Sequence, residues 1–87
     1  MDIKELKIKS KNLEPVVRIG KNGINPHMIA EIDRQLDRNE LIKIKLLQAF
    51  VYEHDKKETA VLIANATNSQ LVSQVGSTIT LYRKKTI

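Results

Sequence analysis

The stretch Val16-Val17-Arg18-Ile19-Gly20-Lys21-Asn22-Gly23-Ile24-Asn25-Pro26 decides how the rest of the chain is read. Three β-branched apolar residues in four positions make 16–19 a buried strand. Gly20 and Gly23 bracket a four-residue turn. Both tolerate positive φ and let another backbone come close. Asn25 suits a helix N-cap, and Pro26 suits the first helical position, where its missing N–H would have no partner. Such a turn leaves backbone N–H groups facing outward, with Lys21 at the tip and a helix N-terminus behind. Those are the parts of an anion site, and phosphate fits them best. A G-x-x-G turn alone also describes a tight strand-to-helix connection with a solvated lysine, so its weight depends on the remaining residues.

On the N-terminal side, residues 2–10 form a short helix. Asp2 caps it or complements its dipole, and Ile3 and Leu6 share one side. Lys4, Lys7, Lys9 and Lys11 make the segment basic, which a solvated peripheral face also explains. Asn12-Leu13-Glu14-Pro15 ends the helix, because the residue before proline avoids helical angles.

On the C-terminal side, a helix runs from Pro26 to about Arg38. Met28, Ile29, Ile32 and Leu36 form its apolar stripe. Glu31, Asp33, Arg34, Asp37 and Arg38 occupy the far side, and a polyanion would avoid that face. Asn39 serves as a left-handed stop. Leu41-Ile42-Lys43-Ile44-Lys45-Leu46 is a second strand, with Ile42, Ile44 and Leu46 on one side and Lys43 and Lys45 on the other. Strand, helix, strand with a short connection implies parallel pairing and a right-handed crossover. Residues 47–53 are open: Phe50, Val51 and Tyr52 would allow the strand to continue.

Asp55-Lys56-Lys57-Glu58 matches a capping box, and a helix then runs to about Thr67 with Ala60, Val61, Ala64 and Leu71 toward the core. Asn68 and Ser69 end it. Leu71–Val75 is a short strand, Gly76-Ser77 a hairpin turn and Thr78–Arg83 the last strand, antiparallel to its predecessor. Ile79 and Leu81 point one way; Thr78, Thr80 and Tyr82 point the other. Lys84, Lys85 and Thr86 form a basic tail. The order is α-β-α-β-α-β-β. The expected fold is a single domain over residues 1–87, an α/β two-layer sandwich with a mixed four-stranded sheet.

Composition narrows the partners. The 87 residues carry a net charge of +5 with a pI near 9.6, which favours a polyanion. The absence of cysteine removes disulfides, thiolate zinc sites and cysteine nucleophiles. Met1-Asp2-Ile3-Lys4-Glu5 has no apolar signal region, and the longest apolar run, Ala60–Ala64, is far short of a membrane span. A cytoplasmic protein with no membrane association is expected.

The strand pleat sorts the charges. With Ile42, Ile44, Ile79 and Leu81 toward the helices, Lys43, Lys45, Thr80 and Tyr82 lie on the opposite side, and Arg18 joins them if Val17 and Ile19 face in. That side is basic, hydroxylated and carries one aromatic ring, which suits a sugar–phosphate chain with Tyr82 stacking on a base. Alternating lysines on an exposed strand also discourage aggregation. If residues 2–10 pack over this side, the binding surface moves to its rim. Arg18, Lys21, Lys43, Lys45, Arg83 and Lys84 could make about six phosphate contacts, enough for a loss of roughly three orders of magnitude in affinity between about 50 and 200 mM salt.

Three motifs in order resemble a known family. Gly20-Lys21-Asn22-Gly23 after an apolar strand, Glu40-Leu41-Ile42-Lys43-Ile44-Lys45, and Gly76 through Leu81-Tyr82-Arg83 are similar to the standalone CRM domain, the chloroplast RNA splicing and ribosome maturation domain. The resemblance covers nearly the whole chain. It implies a fold similar to the C-terminal domain of bacterial translation initiation factor three. It also implies RNA binding with the G-x-x-G loop as a contact, and association with precursors of the large ribosomal subunit. The first helix is short, and Gly76-Ser77 stands where the family has glycine followed by lysine.

The expected RNA-binding residues are therefore Gly20, Lys21, Asn22, Gly23, Arg18, Lys43, Lys45, Tyr82, Arg83 and Lys84, in a monomer with no cofactor or metal. No catalytic residue is expected: His27 and His54 are the only neutral-pH bases, and neither has a serine, carboxylate pair or metal-ligand cluster at a suggestive spacing. A basic protein-interaction or translation-factor-like module is the alternative.

Overall fold

In the computed structural model, which describes residues 2–85, helix α1 covers Ile3–Ser10 and strand β1 Pro15–Ile19. Helix α2 follows at Pro26–Arg38, strand β2 at Leu41–Leu46, the single-turn helix α3 at Gln48–Val51 and helix α4 at Lys56–Ala66. Strands β3, Gln70–Val75, and β4, Thr78–Tyr82, complete the chain. Met1, and Thr86 of the expected basic tail, lie outside the described residues.

The helix starts obey local chemistry. Asp2, Asn25 and Asp55 each accept a hydrogen bond at 2.9 Å from the backbone N–H three residues on, those of Glu5, Met28 and Glu58. Each bond satisfies one of the donors that a helix start leaves unpaired. α4 ends at Asn68 and Ser69 as expected, but the left-handed stop expected at Asn39, the end of α2, is not made. Asn68 has φ +53, whereas Asn39 is extended at φ −135. Ser69 N–H reaches the Ala64 carbonyl at 2.9 Å and Asn68 N–H that of Asn65 at 3.4 Å, closing a Schellman motif.

The sheet order is β1-β2-β4-β3. β1 pairs parallel with β2, and β4 pairs antiparallel with both β2 and β3, so the mixed four-stranded sheet is present. Both outer strands carry a register irregularity, between Pro15 and Val17 on β1 and between Leu71 and Ser73 on β3. Gly76 has φ +58 in the two-residue β3–β4 turn. Among the described residues no other position of that turn has positive φ, which makes it type II′.

One face of the sheet carries the main core. Val17, Ile19, Ile42, Ile44, Leu46, Ile79 and Leu81 meet Ile32 and Leu36 of α2, Phe50 of α3, and Ala60, Ile63 and Ala64 of α4. One open stretch is decided here and one expectation fails. Residues 47–53 do not extend β2: Leu47 N–H bonds to the Ile19 carbonyl at 2.8 Å, and the chain then turns into α3 so that Phe50 can be buried. Val61 is half exposed rather than in the core, because Thr59, Ala60, Ile63 and Ala64 form the inward face of α4.

The second face carries a separate, smaller packing. Leu6 of α1 is 1% exposed and Val72 of β3 is 3% exposed. α1 therefore adds a partial third layer over β2 and β3. Thr80, expected on the same side as Lys43 and Lys45, is buried beneath it.

Candidate nucleic-acid interface

The Gly20–Gly23 turn is built as the sequence implies, but its two glycines serve different ends. Gly23 N–H bonds to the Gly20 carbonyl at 2.9 Å and Gly23 sits at φ +68. Gly20 has ordinary φ; its role is proximity, since a Cβ there would lie 3.3 Å from Leu47 Cδ1. Lys21 and Asn22 are exposed at the tip. A side chain at Gly23 would meet only Phe50 Cε1 at 3.9 Å, so Gly23→Ala should cost conformational strain and little else. The expected loss is about 1 kcal/mol, seen as a fall of roughly 5 °C in Tm by circular dichroism. An unchanged Tm would mean that the loop relaxes into another turn.

Arg18 and Lys45 stand beside this loop. They are register partners on β1 and β2, on the face opposite the main core, and Arg18 is exposed while Lys45 is half-buried. Lys43, also half-buried, is two residues further back on β2, about 7 Å away along the strand. Lys21, Lys45, Arg18 and Lys43 thus form one row of cations leading from the loop onto the second face.

Tyr82, Arg83 and Lys84 are not part of that row. β4 runs antiparallel to β2, with Tyr82 opposite Leu41 and Thr78 opposite Lys45. The loop follows β1, which is parallel to β2, and so sits at the Leu46 end. Five residue steps separate the two ends, roughly 17 Å. Tyr82 is half-buried, and its hydroxyl donates to Glu40 Oε2 at 3.4 Å. Burial first, and then the Glu40 charge and hydrogen bond, raise its pKa above the ordinary tyrosine value.

Arg83 points to the helix side, because the alternation that directs Ile79 and Leu81 inward continues to it. Its guanidinium donates to the Asp33 carboxylate, to Asp37 Oδ1 at 2.8 Å, and to the backbone carbonyls of Thr67 at 2.8 Å and Asp33 at 2.9 Å. The Asp33 hydrogen bond chiefly raises its pKa above the usual arginine value, against the opposing effect of burial. Arg83, counted among the phosphate contacts, instead clamps β4 to α2 and to the end of α4. Lys84 is exposed beyond it.

The loop end of the sheet gathers residues that sequence reasoning passed over. Tyr52, 87% exposed, follows α3 in the same corner. Phe50, whose ring edges Gly23, stacks on His54 with centroids 4.1 Å apart and 9° between planes. Lys56 and Lys57 open α4 nearby and share a shallow depression with His54 and Gln74. The signal for Tyr52 was present in its aromaticity, but strand propensity hid it. On α2, Glu31 is held below the usual carboxylate range by Gln35 and then Arg34, and the acids there face away from the cation row. Among the described residues no cluster of three His, Cys, Asp or Glu side chains could hold a metal ion, and no helix is long and apolar enough to cross a membrane.

Comparison with known proteins settles the kinship. The CRS1 / YhbY (CRM) domain matches residues 1–83. The chain belongs to the CRM domain family. It is 39% identical over 79 residues to the Bacillus subtilis protein named "Probable RNA-binding protein YqeI", covering 91% of this chain and 80% of that one. It is 44% identical over 80 residues to the Methanocaldococcus jannaschii "Probable RNA-binding protein MJ0652", covering 92% of this chain but only 59% of that longer relative. The solution structure of the hypothetical protein SAV1595 from Staphylococcus aureus superimposes with a TM-score of 0.80 at 41% identity, over 98% of this CRM domain and 86% of that chain.

Proposed function

We propose that this CRM domain is a non-catalytic, monomeric RNA-binding module of the cytoplasm that engages ribosomal RNA in precursors of the large subunit. The observation that carries the reading is the meeting of the outward Gly20–Gly23 turn with Arg18, Lys45 and Lys43 at one end of the sheet. Outward amides and ammonium groups hold phosphates without reading sequence. The exposed ring of Tyr52 adds a surface on which an unpaired base can stack. The RNA-binding names of the relatives support the choice of RNA, and the ribosomal target follows from the family resemblance. Neither histidine stands in a catalytic grouping: His27 is exposed in the first turn of α2, and His54 lies against Phe50.

Lys21→Glu tests the loop. The side chain is exposed, so Tm should hold within about 2 °C. Affinity for a structured large-subunit RNA fragment should fall about tenfold, with a shallower salt dependence. Undiminished affinity would reduce the loop to a connection between β1 and α2.

A further inference from the structure

Between α1 and the second face of the sheet lies a cleft of roughly 470 Å³, lined by Lys7, Ser10 and Lys11 of the α1 segment, Lys43 of β2, Ser73 and Val75 of β3, and Thr78 and Thr80 of β4. Its composition is one-sided: three ammonium groups line it and no carboxylate does. Three hydroxyls face it from the sheet, those of Ser73, Thr78 and Thr80. Among the described residues none of the three is engaged in a hydrogen bond, although Thr80 is 2% exposed. The Thr80 hydroxyl is not sealed off, because among the described residues no fully buried polar side-chain atom lacks a partner. It therefore opens into the cleft. By contrast, the Ser10 hydroxyl is satisfied locally by the Lys7 carbonyl at 2.8 Å.

The cleft is continuous with the cation row. Lys43 belongs to both, and Thr78 is the register partner of Lys45, which in turn pairs with Arg18. Lysines with free hydroxyls between them match the phosphate oxygens and ribose hydroxyls of a nucleic-acid strand. A duplex, whose major groove alone is about 12 Å wide, does not enter a space of this volume; a single strand does.

We infer that the cleft beneath α1 is a second RNA subsite, which takes the sugar–phosphate backbone of a single-stranded segment running on from the Gly20–Gly23 loop. The inference rests on the RNA-binding reading above, and Lys7 and Lys11 become its binding residues.

The test uses the whole chain and a 12-nucleotide oligouridylate, with affinity measured by fluorescence anisotropy and amide shifts followed by ¹H–¹⁵N spectroscopy. Lys7 and Lys11 are exposed, so Lys7→Glu/Lys11→Glu keeps the fold, which Tm verifies. Its affinity should fall about tenfold or more, with a salt slope smaller by about 1.4. In the parent protein the amides of Ser73, Thr78 and Thr80 should shift on titration. Thr80→Val, which removes the hydroxyl and keeps the shape, should weaken binding severalfold. If the parent binds the oligonucleotide while the double variant matches it and those amides stay still, the subsite is wrong and the RNA reading stands. If the parent binds a structured ribosomal fragment but not the oligouridylate, the subsite is again wrong. If it binds neither, the RNA reading itself fails.

Discussion

Converting Arg18 and Lys45 to glutamate together is expected to lower affinity for ribosomal RNA about a hundredfold near 100 mM salt, a change of about 2.7 kcal/mol. The two are register partners, and they link the loop to the second face. Reversal removes two cations and places two anions where the strand must pass. The fold should tolerate it, because Arg18 is exposed and Lys45 is only half-buried, so a long side chain there can reach water. Titration at several salt concentrations separates the contributions: two lost phosphate contacts lower the log–log slope by about 1.4 for a single strand. An affinity within about threefold of the parent, with the slope unchanged, would remove this row from the interface.

The second large effect falls on stability. Arg83→Ala should destabilise the protein by about 2 kcal/mol and lower Tm by roughly 10 °C in thermal denaturation. The two carboxylate pairings contribute little of this, since the Asp33 and Asp37 side chains are 52% and 74% exposed. The larger part comes from the Thr67 and Asp33 carbonyls, which lose charged donors at 2.8 and 2.9 Å, and from the lost packing of the side chain. Lysine at the same position should recover less than half, because an ammonium cannot fork between two helices. RNA affinity of the folded variant should stay within about threefold of the parent. A Tm drop of less than about 2 °C would show that the clamp is ornamental.

Much of the fold was legible because several signals coincided at the same residues. Asn25-Pro26 and Asp55 through Glu58 fixed two helix starts through cap chemistry, and both caps are made. Alternation in Ile42-Lys43-Ile44-Lys45 fixed which way β2 faces. The inward turn of Arg83 was implied by the same period-two rule, yet its positive charge put it among the phosphate contacts. Residues 47–53 stayed open because Phe50 and Tyr52 have strand propensity, while burial of Phe50 beside Gly23 decides the outcome.

The division of the candidate site had a different cause. Sequence suggested β1 beside β2 and β3 beside β4, but no local feature announces that β2 pairs with β4, or in which register. That pairing alone puts Tyr82 at the far end from Lys21. The roof formed by α1 was raised as a condition and left open by the sequence. Leu6 is the one buried apolar residue of α1 among its lysines, and only the placement of α1 over β2 and β3 shows where it docks.

The interruptions in the two outer strands bear on how several such molecules could crowd along one transcript. β1 and β3 each break their ladder, and β1 begins with a proline that has no amide hydrogen to offer. Neighbours brought close by a shared polymer would therefore find no continuous template for merging their sheets, and would slide past one another as separate bodies.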